Sequence, residues 1–332
     1  MSINGFSYIN RRNFLKGSLA GAAILPNMNM NSMFQSIGQS KTKIALVKTN
    51  DRFKGVTQVM KLMDLSGING KNINIKPNFN SADDTPGSTH YDTLKQIVAE
   101  VQERGSKGIV LGESSGPGDT QKIMEQKGAF DLASEMKFDV INYDTMPEND
   151  WIKIPKGNTN WEDGFHVPKH VINPEYMIST CCLKTHAYGG HFTMSMKLSV
   201  GLVPENIRRG MHRSPNMRKM IAEINTAYKP QLIILDAVNA FVDGGPSRGT
   251  LKTADVFVAG TDRVAVDAVG VAILKDLGSN ETIMGTKVFE QEQIARAVEL
   301  GLGISGPDEI EFVTPDNSSK EYADKIKQLL LT

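Results

Sequence analysis

The chain has 332 residues, with 37 Lys and Arg against 37 Asp and Glu, so its formal charge is zero. That balance excludes a nucleic-acid or anionic-membrane binder working through bulk positive charge, and 40% hydrophobic with 22% charged residues excludes a disordered chain. Two cysteines, adjacent at Cys181 and Cys182, exclude a disulfide framework, a four-thiolate zinc site and a cubane cluster, so no iron–sulfur cluster is expected.

Residues 1–40 read as a targeting segment. They contain Arg11, Arg12 and Lys16 and no acidic residue, so the remainder carries three net negative charges. The run Asn10-Arg11-Arg12-Asn13-Phe14-Leu15-Lys16 precedes a weakly apolar stretch, Gly17 to Leu25, and then Pro26. Paired arginines, Phe-Leu-Lys and a Gly/Ala-rich stretch fit a twin-arginine export signal, with Asn10 where Ser or Thr is commoner. The stretch is too short to span a bilayer. The expectation is export by the twin-arginine translocase to the periplasm or its equivalent; the plainer alternative is a basic disordered tail. Cargo of this route is carried already folded and often holds a cofactor. No later segment has the apolar length of a mature membrane span.

From residue 41 onward, short β-branched runs alternate with helical patterns. Lys43–Thr49 is a predicted strand and Phe53–Leu65 a helix. Asn72–Ile75 is a strand halted by Pro77, which cannot donate to a ladder. Tyr91–Gly105 is helical, with Leu94, Ile97, Val98 and Val101 on one face. Ile109–Gly112 is a strand, followed by helices across Asp119–Lys127 and Ala129–Lys137 and a strand at Asp139–Tyr143. Residues 145–170 are rich in Pro, Gly, Asn and Trp, with short strand-like pieces such as Trp151–Pro155. Tyr176–Cys182, Leu232–Val238 and Asp255–Gly260 are strands. Helices are expected at Asp262–Leu277 and Glu290–Gly301, then a strand at Glu309–Val313 and a last helix over Ser319–Leu330. The rhythm predicts an α/β protein with a mainly parallel sheet flanked by helices and its sites on loops at strand C-terminal ends. Residues 41–332 are expected as one family domain, divisible into sub-domains near 41–145 and 146–332.

Four loops carry candidate chemistry. The first runs from Lys76-Pro77-Asn78 to Thr89-His90 and reads either as a surface loop with His90 near a helix cap or as a substrate loop in which Lys76, Asn78 and His90 meet an anion. The second, Gly112 to Asp119, is glycine-rich but matches neither a Walker loop nor a dinucleotide fingerprint. Glu113 at its start is a candidate site residue, and Asp119 reads as a helix cap. The third is the most informative. Lys184, His186, His191, Lys197 and His212 follow one buried strand, and four of the six histidines lie between residues 170 and 212. Imidazoles titrate near neutral pH and are common metal ligands, so His186, His191 and His212 suit proton transfer or metal binding. Lys184 and Lys197 suit charge pairing with a carboxylate, or base catalysis if desolvated. The cysteines read as buried small hydrophobes. In the fourth group, Asp236 lies inside an apolar strand and needs a cation or donor partner; it is also a candidate metal ligand. Arg248, in the turn Asp243-Gly244-Gly245-Pro246-Ser247-Arg248-Gly249, suits anion clamping.

In their order along residues 43–315 these pieces resemble the family called domain of unknown function 362: KPNFN with Thr89-His90, LGESSGPGDT, LKTH with the following MKLSVGL and His212, LDA with DGGPSRG, and AGTDRVAVDAVG. Many members of that family carry a ferredoxin-like cysteine cluster, which this chain lacks. A fainter resemblance reaches the nickel-pincer lactate racemase family, where a strand ends in a His, a Gly-rich segment leads to a Lys, and a His follows about fifteen residues later. His186, Lys197 and His212 match that order. The Asp-x-x-Arg motif of that family is absent, and Glu113 stands in place of its first catalytic His.

The resulting expectation is an exported enzyme-like protein acting on a small carboxylate, isomerase-like or oxidoreductase-like, with a metal ion or metal-containing cofactor. His186, Lys197, His212 and Lys184 would be catalytic. Lys76, Asn78, His90, Glu113 and Arg248 would bind substrate, and His186, His191, His212 and Asp236 would be metal ligands. The alternative is a non-catalytic exported binding protein for a small anion or metal. The expected partners are a small-molecule anion and the translocase, without nucleic acid.

Overall fold

The computed structural model describes residues 41–332; the twin-arginine signal expected within residues 1–40 lies outside the described residues. The chain runs β1 (Thr42–Lys48), α1 (Arg52–Leu62), β2 (Asn72–Lys76), α2 (Tyr91–Glu103), β3 (Gly108–Glu113), α3 (Thr120–Gln126), α4 (Ala129–Met136) and β4 (Asp139–Asn142). It continues with β5 (Trp151–Ile154), β6 (Phe165–Pro168), β7 (Tyr176–His186), β8 (His191–Thr193), a 3-10 helix over Met196–Leu202, α5 (Glu205–Met211), α6 (Met217–Ile224), β9 (Leu232–Gly244) and β10 (Gly249–Gly260). It closes with α7 (Arg263–Asp276), α8 (Glu281–Gly285), α9 (Glu292–Glu299), β11 (Ile310–Val313) and α10 (Asn317–Leu329).

Strands β11-β1-β10-β9-β7-β2-β3-β4 lie side by side in that order, with β8 paired to the end of β7. Pairing is parallel from β9 through β7, β2 and β3 to β4, and between β1 and β11; β10 is antiparallel to both neighbours. The expected mainly parallel α/β sheet is therefore what forms. It joins strands from before and after residue 146, because β2 pairs directly with β7.

Side chains on a strand alternate between faces, and both faces of this sheet are covered. Ile44 and Leu46 of β1, with Val256 and Val258 of β10, face a core completed by α7 and α10. Ala45 and Val47, with Phe257 and Ala259, face the opposite core under α1 and α2. That is why these strands are continuous apolar runs. The Pro- and Gly-rich middle segment builds a third core, where Trp161, Phe165 and Val167 beside the β5–β6 pair meet Met211, Met220 and Ile224 of α5 and α6. Helix starts obey side-chain capping: Asp51, Asp119, Asp262 and Asp316 each accept backbone N–H bonds at the starts of α1, α3, α7 and α10.

Two strands outrun their predicted ends. β7 continues four residues past Cys182 to His186, and its pairing with β9 jumps from Cys182–Asp236 to Leu183–Ala240. The Lys184-Thr185-His186 stretch reads as a loop by polarity, but the sheet and the β8 hairpin give it backbone partners. Helix α5 occupies part of the stretch up to His212 that reads as loop, and α6 follows it. Among the described residues, no helix is long and apolar enough to cross a membrane.

Candidate functional site

Because β2, β3, β7 and β9 are parallel, their last residues Lys76, Glu113, His186 and Gly244 come to one edge of the sheet. A cavity of about 880 Å³ opens there, in the position where open α/β sheets bind ligands. Its walls include Lys76, Asn78, Glu113, His186, Lys197, His212 and Arg248. Residues more than 170 positions apart in the chain thus share one space.

The β2 and β3 ends form a closed network. Lys76 Nζ lies 2.5 Å from Glu113 Oε1, and both side chains are buried. Glu113 also accepts from the Phe79 N–H (2.8 Å) and the Ser114 N–H (2.9 Å), and Lys76 donates to the Pro77 carbonyl (2.8 Å). Burial pushes the Lys76 pKa down and the Glu113 pKa up, while their mutual attraction works against both shifts. Gly201 leaves room for this pair: a Cβ there would sit 2.6 Å from Glu113 Oε1 and 3.1 Å from Lys76 Nζ.

The opposite lining comes from β7 and the 3-10 helix. Asp267 of α7 accepts from the Ser195 N–H (2.8 Å) and Met196 N–H (3.1 Å), fixing the start of the helix that carries Lys197. Lys197 is 9% exposed and makes no hydrogen bond among the described residues. Burial, then the charges of Lys184 and Arg208, bring its pKa from 10.5 to about 7. His186 is held at about 2, by burial and then by Lys197, His212 and Lys184. Partial desolvation lowers the pKa of His212, with Lys197 and Arg208 adding to it and its bond to the Arg208 carbonyl opposing. All three groups therefore offer neutral forms near pH 7.

The two imidazoles are held differently. His186 Nδ1 accepts from the Gly190 N–H at 3.3 Å, which leaves the proton on Nε2. His212 Nδ1 lies 2.9 Å from the Arg208 carbonyl, which can only accept, so Nδ1 carries the proton and Nε2 keeps its lone pair. These tautomers are assigned from the bonding partners. One ring offers a donor and the other an acceptor.

Four expected site residues are not in the cavity wall. Lys184 is fully buried and donates to the Gly87 carbonyl at 2.5 Å, so it anchors the loop after β2 instead of reaching a substrate; burial lowers its pKa to about 8. His90 caps α2, its Nδ1 accepting from the Asp92 N–H at 3.1 Å. His191 pairs with His186 across the β7–β8 hairpin, but its backbone is left-handed (φ 53) and its ring lies near Arg218, Glu292 and Gln291. Asp236 is buried beneath α1 and α2, accepting from Arg52 Nε (3.0 Å) and Thr93 Oγ1 (2.7 Å). The four residues expected as metal ligands are therefore not one cluster. Among the described residues, no three His, Cys, Asp or Glu side chains stand where they could hold an ion.

Arg208 is the main residue that motif reasoning passed over. It is 5% exposed, lines the cavity, and donates from Nη1 to the Ser114 carbonyl (3.2 Å) and from Nη2 to the Ser115 carbonyl. Neither partner is charged. The basic run Arg208-Arg209 with His212-Arg213 was the available signal.

A family model described as domain of unknown function (DUF362) matches residues 73–272, which includes every wall residue named above. The chain belongs to this family. No curated protein matches this DUF362 member. Among solved structures it is similar to the lactate racemase apoprotein from Thermoanaerobacterium thermosaccharolyticum, at 12% identity over 88% of this chain and 88% of that one, with a TM-score of 0.45.

Proposed function

We propose that this DUF362 member is an exported enzyme that binds a small carboxylate in the cavity at the sheet edge and moves a proton within it. The observation that carries the reading is the company Lys197 keeps: a largely buried lysine that makes no hydrogen bond among the described residues, in one cavity with two imidazoles of opposite tautomer. A buried cation without a counter-charge is costly unless a ligand supplies one. A carboxylate beside Lys197 and Arg208 would do so. His212 Nε2, with its lone pair, is placed in the chain's chemistry as the proton acceptor, and the Nε2–H of His186 as the donor that steadies charge on a substrate oxygen. Lys76 and Glu113 hold two loops together and act by position, since Glu113 already accepts three bonds.

The donor set suits a metal-containing cofactor that brings ligands of its own better than a bare ion. The nitrogens that would hold it are Lys197, partly unprotonated near neutral pH, and His212 Nε2, the same two that the proton-transfer reading uses, so holding the group and pairing a carboxylate or accepting a proton are alternative uses of these atoms. His186 in its assigned tautomer has no lone pair on Nε2 to give. Such a group would supply hydride- or electron-accepting chemistry.

The test uses protein exported by its native host, incubated with a panel of 2-hydroxy acids deuterated at the α-carbon. Loss of deuterium that disappears in His212→Gln and His186→Gln, with binding retained, is the expected result. Binding of the acids without any deuterium loss would replace the enzyme with a static anion-binding protein. Absence of binding would remove the site assignment altogether.

A further inference from the structure

The cavity has more positive charge than a single carboxylate requires. Among the described residues its wall includes two carboxylates, and each is already paired: Glu113 with Lys76 at 2.5 Å, and Glu205 with Arg209 at 2.6 Å. Arg208, Arg213 and Arg248 also line the wall, and none has a carboxylate within ion-pair distance. Lys197 adds a fourth basic group when protonated. A chain whose 37 basic and 37 acidic residues cancel overall has therefore gathered three guanidiniums without an ion-pair contact among the described residues around one space, Arg208 being offset only at longer range by Asp144, Glu113 and Glu205.

The charges are also spread in depth. Arg208 is buried, whereas Arg213 and Arg248 are exposed. They come from different elements: Arg213 follows α5, and Arg248 lies in the turn between β9 and β10. Two exposed guanidiniums on separate loops of the wall gain nothing from an occupant held wholly at the depth of Lys197. The volume agrees, because about 880 Å³ is near the top of the roughly 300–1,000 Å³ range of pockets that enclose drug-sized ligands. A three-carbon hydroxy acid would leave most of it to water.

We infer that the ligand is a multiply charged anion, with one anionic group held deep beside Arg208 and Lys197 and a second reaching the mouth between Arg213 and Arg248. This rests on the reading of the cavity as an anion site and narrows its substrate class to dicarboxylates or phosphorylated carboxylates. Guanidinium forks match carboxylate and phosphate oxygens alike, so the shared feature is the distal charge.

Isothermal titration of the full chain with lactate, malate and 3-phosphoglycerate tests this. Malate or 3-phosphoglycerate, or both, should bind at least about 10-fold more tightly than lactate, the preferred one of the two identifying the distal group as carboxylate or phosphate. Their affinity should fall more steeply with added salt than that of lactate. In Arg213→Gln/Arg248→Gln the preference over lactate should shrink toward unity; both side chains are exposed, and an unchanged melting temperature checks that the variant is folded. Equal binding of all three anions would overturn this inference and leave the anion-site reading standing. A preference that survives the double variant would overturn the assignment to the mouth arginines. No binding of any of the three would remove the anion site itself.

Discussion

Replacing Lys197 with Met removes an ammonium that has no partner among the described residues while keeping much of the side-chain volume. Its pKa drops from 10.5 to about 7 on folding, and each unit is worth about 1.4 kcal/mol, so the whole shift corresponds to roughly 5 kcal/mol. The direction follows from proton counting. Below pH 7 both folded and unfolded chains hold the proton, and the folded one carries the full cost of a poorly solvated charge. Between the folded and unfolded values the unfolded chain holds a proton that the folded chain has shed, so stability rises with pH. Above the unfolded value the penalty is gone. Lys197→Met is therefore expected to be more stable than the parent by about 2–5 kcal/mol near pH 6.5, with the gap closing toward about pH 10. Lys184, lowered to about 8, leaves a smaller rise in both proteins. Urea unfolding followed by circular dichroism at several pH values measures this. Identical pH slopes, or a less stable variant at about pH 6.5, would show that the amine is solvated or paired and would defeat the argument for a waiting counter-charge.

Two further outcomes are expected. Lys76→Met strands Glu113 in the interior and should cost about 3–5 kcal/mol, whereas Lys76→Met/Glu113→Gln, which leaves no buried charge, should recover part of that loss; thermal melts of the two variants separate a charge effect from simple loss of packing. Arg11→Lys/Arg12→Lys should leave the protein in the cytoplasm, read by fractionation and immunoblotting of the native host, if residues 1–40 act as a twin-arginine signal; normal export of this variant would refute that assignment.

The elements that sequence reading placed well are those whose evidence is local. Apolar runs such as Ile44–Val47 and Ile233–Leu235, short and bounded by turn residues, read as strands and are buried on both faces, and Asp119 and Asp262 mark helix starts by an interaction within three residues. Lys76, Glu113 and His186 end parallel strands, which bring their C-terminal ends together, whereas Lys197 and His212 reach the same cavity through the β8 hairpin and α5. The direction of a side chain is not local information. His90 and Asp236 have the right chemistry, but one is used by its own helix N-terminus and the other by Arg52 and Thr93 of the two helices packed over it. Lys184 and His186 are two residues apart on the same strand, and a single carbonyl from a distant loop, that of Gly87, draws one away from the cavity. Composition and pattern thus determined the layers, the strand order's parallel character and the edge where a site would form. Which nitrogen carries a proton, which cation lacks a partner and which charges are cancelled depended on contacts between residues remote in the chain, and only the tertiary structure supplies those, because electrostatic energy depends on distance and burial and not on sequence separation.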